Sequence, residues 1–124
     1  TKSPMKPILS ILDPSPIFKG RTAADALNET RALAVVADAM NYRSYWVQEH
    51  HNAASFAGTT PEILMADLAS RTQRIALGSG GIMLPNHAPL QIAEQFGILA
   101  HYVMDAGFPP GVSDGDGDGG DGGE

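Results

Sequence analysis

Three short apolar runs, at residues 8–12, 42–47 and 74–78, alternate with three stretches whose apolar residues recur at helical spacing. This alternation limits the fold more than any other feature. Parallel strands are joined only by crossovers long enough to hold a helix, so strand and helix in regular succession call for an α/β fold with a parallel sheet. Ser10 is the one polar residue in the first run, as expected for a strand covered on both faces.

The punctuation between the runs supports this order. Thr22 is placed to cap a helix over residues 23–40, with Leu27, Leu33, Val36 and Met40 as its buried stripe. Asn41 tolerates the left-handed conformation that ends many helices, and residues 42–47 are rich in aromatic and β-branched side chains suited to a strand. Residues 52–60 read as a long loop. Thr60 and Pro61 then open a helix that runs to about residue 70. The third strand, at residues 74–78, leads into Ser79-Gly80-Gly81, a proline-bounded loop around His87, and a helix over residues 90–103.

The chain has 124 residues, 43% hydrophobic and 18% charged, which suits one small domain with a buried core. Of the net charge of −6, the last eleven residues carry −5, leaving a nearly neutral body. No basic patch is left for nucleic acid or an anionic membrane, and neither is expected as a partner. The absence of cysteine excludes thiolate chemistry and fits a cytoplasmic location. No run of residues is long and apolar enough to suggest an export signal or a membrane span.

If the runs are parallel strands, the residues just past them share one rim. Past the second run stand Glu49, His50 and His51, where an imidazole can act as a general base and a carboxylate can orient it; a surface loop with two solvated histidines fits the same residues. A metal site is not expected, because successive residues of an extended strand point to opposite faces and cannot share one ion. Past the third run, Gly80 and Gly81 expose main chain that a flat ligand can approach, although a simple turn uses glycines in the same way. Trp46 reads as core packing, and His87 as a surface residue or local hydrogen-bond donor.

Taken together, residues 45–52 (YWVQEHHN), residues 75–87 (IALGSGGIMLPNH) and residues 93–97 (AEQFG) resemble the bacterial luciferase-like flavin-dependent monooxygenases. The resemblance spans roughly residues 8–100. It implies a TIM-type (β/α) barrel, of which this chain supplies about three βα units. It also implies reduced FMN bound at the carboxyl rim, O2 as co-substrate, a small organic substrate, and a flavin reductase as electron source.

By the same resemblance His50 is the active-site histidine, with Glu49 beside it as a second catalytic position. Ser79, Gly80, Gly81 and His51 are cofactor-binding positions, and a cis peptide bond is often found near the two glycines. After Gly97 the chain departs from the family pattern and ends in a Gly/Asp-rich stretch, as a premature stop or frame change would produce. The expected organisation is therefore a barrel portion at residues 1–106 and a disordered acidic tail at residues 107–124. Asp114, Asp116, Asp118 and Gly119 match the opening of a calcium loop, but Glu124 falls one position short of the bidentate ligand. Three strands without their barrel partners leave both sheet edges open, so homo- or hetero-oligomers through those edges are expected.

Overall fold

The computed structural model describes residues 5–105. Its elements are β1 (Ser10–Asp13), α1 (Ala23–Ala39), β2 (Ser44–Val47), α2 (Pro61–Arg71), β3 (Ala76–Ser79), a single 3-10 turn (Leu84–Asn86) and α3 (Pro89–Asp105). The strands form one parallel sheet in the order β1-β2-β3, with Ser10 opposite Ser44 and Ser44 opposite Ala76. The sequence-based βαβαβα order is the observed one. Each strand begins two residues later than its apolar run, β1 and β3 end one residue later, and β2 ends with its run at Val47. The expected boundary at residues 106 and 107, the acidic tail and its calcium-like spacing lie outside the described residues.

Consecutive right-handed crossovers between adjacent strands place every helix on the same face of the sheet. On that face Tyr45 and Val47 are buried against Ala34 and Ala37 of α1, Met65 and Leu68 of α2, and Leu99 of α3. The other face carries Ser10, Leu12, Ser44, Trp46, Ala76 and Gly78, which alternate with the helix-facing residues. It is open: Leu12 is 59% exposed and Trp46 40%. The expectation of strands covered on both faces holds for one face only, because three βα units supply helices to one side and nothing to the other. Trp46 is not a core residue; its Nε1 donates to Ser44 Oγ at 3.0 Å, and its ring lies across Gly78.

Helix α1 buries a different stripe from the one its large residues suggest. Ala26, Thr30, Ala34 and Ala37 face the sheet, whereas Leu33, Val36 and Met40 are exposed. Small side chains let the helix axis come close to the strands, and packing favours that approach over burial of the longer side chains. The helix starts as its sequence indicates: Thr22 Oγ1 accepts from Asp25 N at 3.1 Å while the Asp25 carboxylate accepts from Thr22 N at 2.9 Å. It ends at Asn41, whose φ is +60°. Thr60 precedes α2 without a side-chain capping bond; its hydroxyl meets that of Thr59 instead.

Asp38, near the end of α1, sets the entry to β3. Its carboxylate accepts from the backbone N–H groups of Gln73, Arg74 and Ile75 at 2.8–2.9 Å. Burial pushes its acidity down, but these three bonds more than offset that and hold the carboxyl below its ordinary range. Among the described residues no helix is long and apolar enough to cross a membrane.

Candidate functional site

The carboxyl ends of the three strands carry a polar rim. At the end of β1 the buried carboxylate of Asp13 accepts from Ser15 N at 2.7 Å, from Thr30 Oγ1 at 2.8 Å and from the Tyr45 hydroxyl. Burial, and then the bond to Asp13, push the Tyr45 hydroxyl far above its usual range, so it acts as a neutral donor. This network ties the end of β1 to α1 and β2.

Past β2 the chain stays extended, and its side chains sort by parity. Gln48 and His50 form one pair, with His50 Nε2 2.9 Å from Gln48 Oε1. Glu49 and His51 form the other, with His51 Nε2 2.6 Å from Glu49 Oε2. The imidazole that Glu49 orients on this segment is therefore that of His51, while His50 pairs with Gln48. Alternation along an extended strand carries that signal in the sequence itself, since residues one apart point to opposite sides.

His50 is held from two further directions. Its ring stacks on Phe56, with centroids 4.6 Å apart, and its backbone N–H donates to Gly58 O at 2.8 Å. The loop that carries Phe56 is itself tied to the first rim loop, by Ile17 N to Ser55 O at 2.8 Å and Ala57 N to Ser15 O at 2.9 Å. The 52–60 segment is thus tied to the rim at both the β1 and the β2 ends.

Glu49 has a second imidazole partner that the sequence does not announce. His87, 38 positions away, places Nε2 3.0 Å from both carboxylate oxygens, and Met83 N donates to Oε1 at 3.2 Å. The Glu49 side chain is 1% exposed, against 40% for His51 and 22% for His87. Burial raises its tendency to hold a proton, but the bonds from His51, His87 and Met83 prevail and keep the carboxyl below its ordinary range. His87 is thus neither a loose surface residue nor a local donor.

At the end of β3, Ser79 turns its hydroxyl back onto Gly81 O, and Gly80 N donates to Val47 O at 2.6 Å, extending the β2–β3 ladder. A Cβ placed on Gly80 would stand 3.0 Å from Leu12 Cδ1 and 3.6 Å from Gln48 Cγ. Gly81 has φ +117°, a conformation open to glycine, and a Cβ there would meet nothing within 4 Å. Gln48 consequently stands between the bare main chain at Gly80 and the imidazole of His50. All peptide bonds among the described residues are trans, so the cis bond implied near the glycines is not found. No cluster of three or more His, Asp or Glu among the described residues is arranged to hold a metal ion.

The family model described as luciferase-like monooxygenase matches residues 9–104. This chain belongs to the luciferase-like monooxygenase family. Among curated relatives of the family, the N-acetyl-S-alkylcysteine monooxygenase of Bacillus subtilis (strain 168) is 48% identical over 92 residues, which are 74% of this chain and 28% of that protein. The luciferase-like monooxygenase of Escherichia coli (strain K12) is 47% identical over 90 residues, 73% of this chain and 27% of its own length. The chain therefore spans a little over a quarter of the relatives it matches.

Among solved luciferase-like structures, apo-MsnO8 superposes with a TM-score of 0.75 at 39% identity, covering 79% of this chain and 30% of that one. The oxygenating constituent of 3,6-diketocamphane monooxygenase from Pseudomonas putida, solved in complex with FMN, gives a TM-score of 0.71 at 24% identity, covering 80% and 27%. These matches establish the α/β fold as part of a luciferase-like barrel.

Proposed function

We propose that this chain is the amino-terminal part of a flavin-dependent monooxygenase that uses reduced FMN and O2 to oxidise a small organic substrate. The observation that carries this reading is the rim itself. An imidazole held by stacking and a hydrogen bond, and the bare main chain at Gly80, flank Gln48 on one sheet end. Open space at Gly81 leaves room for the edge of a planar ring system beside main chain that carries no side chain, with Leu12 and Gln48 bounding it at Gly80, and His50 is placed to hold or move a proton at its Nε2. Ser79 shapes the turn, His51 lines the same rim, and Glu49 stands behind it.

When bound, reduced flavin would supply the two electrons that take one atom of O2 to water while the other atom is transferred to the substrate. The chain's own share is to seat the ring, hold the loop at residues 52–60 to the rim, and place an imidazole alongside. A flavin reductase as electron donor and a cytoplasmic location complete this reading; the cysteine-free composition supports the latter.

The chain is expected to bind reduced FMN saturably but weakly, measured by fluorescence titration under anaerobic conditions. With a long-chain aldehyde as probe, oxygen-dependent product is expected, and His50→Ala should lower its rate about 10²-fold or more. No flavin binding at all would end this reading.

A second reading, of another class, is a non-catalytic α/β module that pairs with a second copy of itself. The exposed Leu12 and Trp46, neighbours on the open sheet face, favour it. Light scattering at micromolar concentration is expected to give a dimer or larger species, and Leu12→Lys to shift it toward monomer; a wild-type monomer counts against self-pairing.

A further inference from the structure

Glu49 is one of few buried carboxylates among the described residues, and no lysine or arginine among them pairs with it. Its acceptors are matched by N–H donors alone: His51 and His87 through Nε2, and the backbone of Met83. Two of the three donors belong to the loop after β3. That loop has little else to hold it. Met83 is 46% exposed and Leu84 61%, and every other hydrogen bond found for residues 82–87 joins residues two or three positions apart.

We propose that Glu49 is a positioning residue: its carboxylate fastens the loop after β3 to the extended segment after β2. It thereby sets where Gly80 and Gly81 stand relative to His50. As far as it concerns flavin, this inference rests on the function proposed above.

The chemistry requires a charged carboxylate. Two imidazoles that both donate through Nε2 need acceptor lone pairs on both oxygens, and the Met83 amide uses another. Charge-assisted bonds of this kind are stronger than neutral ones. A glutamine has the same shape but offers one acceptor oxygen and one NH2 group. In Glu49→Gln an imidazole must either change tautomer to accept from the NH2 group or let go, and the charge-assisted bonds are lost, so the fastening weakens while the volume stays filled.

The test uses the full chain and compares wild type, Glu49→Gln, His87→Ala and the double variant. Amide exchange followed by NMR should accelerate at Met83 about tenfold in Glu49→Gln, while the amides of Val47 and Leu68 keep their wild-type protection. Each single variant should weaken FMN binding about tenfold. The double variant should be no weaker than either single one, because both remove the same fastening.

Unchanged exchange at Met83 in a folded Glu49→Gln overturns the proposal, as do losses that add in the double variant. If Glu49→Gln does not fold, His87→Ala decides: faster exchange confined to residues 82–87 supports the fastening, and wild-type exchange there refutes it. If the wild-type chain binds no FMN, the flavin reading falls, and the fastening stands or falls on the exchange data alone.

Discussion

Replacement of Tyr45 by alanine is expected to leave the chain largely unfolded at 37 °C. Tyr45 is fully buried in the middle strand and belongs to the core cluster formed with α1, α2 and α3. Truncating a buried aromatic side chain costs about 3–5 kcal/mol in transfer and cavity terms. Here the loss also removes a donor from the buried Asp13 carboxylate, adding about 1–3 kcal/mol. A domain this small holds only about 5–15 kcal/mol in all, and an open sheet face places this one toward the lower end.

Urea unfolding followed by circular dichroism measures the effect, and Tyr45→Phe separates its parts. The phenylalanine keeps the ring and drops the hydroxyl, so only the smaller penalty should appear. Equal losses in the two variants would show that the Asp13 network, not the core, depends on Tyr45. Wild-type stability in Tyr45→Ala would contradict the packing described above.

Gly78→Val is expected to expel the indole of Trp46 from the sheet. A Cβ at Gly78 would stand 2.5 Å from Trp46 Cζ3 and 2.6 Å from Cε3, distances that no real pair of carbons sustains. The ring must swing away and give up the bond from Nε1 to Ser44 Oγ. Overpacking of this kind costs about 1–3 kcal/mol. Trp46 is the single tryptophan, so its emission reports the displacement directly, and a shift to longer wavelength is the expected sign. An emission spectrum matching wild type, with stability retained, would mean that the indole does not rest on β3.

Both residues show why the rim is built as it is. The sheet has one face sealed by helices and another that carries Leu12, Trp46 and the bare glycines. Stability comes from the sealed face, through Tyr45, Val47, Leu68 and Ile75. The open face and the strand ends carry the candidate chemistry, with the division between structural and functional residues common to (β/α) barrels.

Much of this arrangement can be read along the chain. The succession of strands and helices follows from hydrophobic period, Thr22 caps α1, and Asn41 ends it, because each of these signals acts within a few residues of itself. The motif residues from Glu49 to His51 and from Ser79 to Gly81 fall at strand ends for the same local reason. The stripe of α1 was not legible in this way. Its large residues point to one face and its alanines pack on another, because the distance between helix and sheet is set by both partners.

Sequence by itself thus determined the order of elements, the strand-end position of the candidate groups and membership of the family. Only the tertiary structure decided how those groups pair. Glu49 pairs with His51 and with His87, 38 residues further on, because a buried carboxylate must find N–H donors among those the folded chain brings within reach. Donors that far apart in the chain have no local signature, so that choice is made by the fold alone.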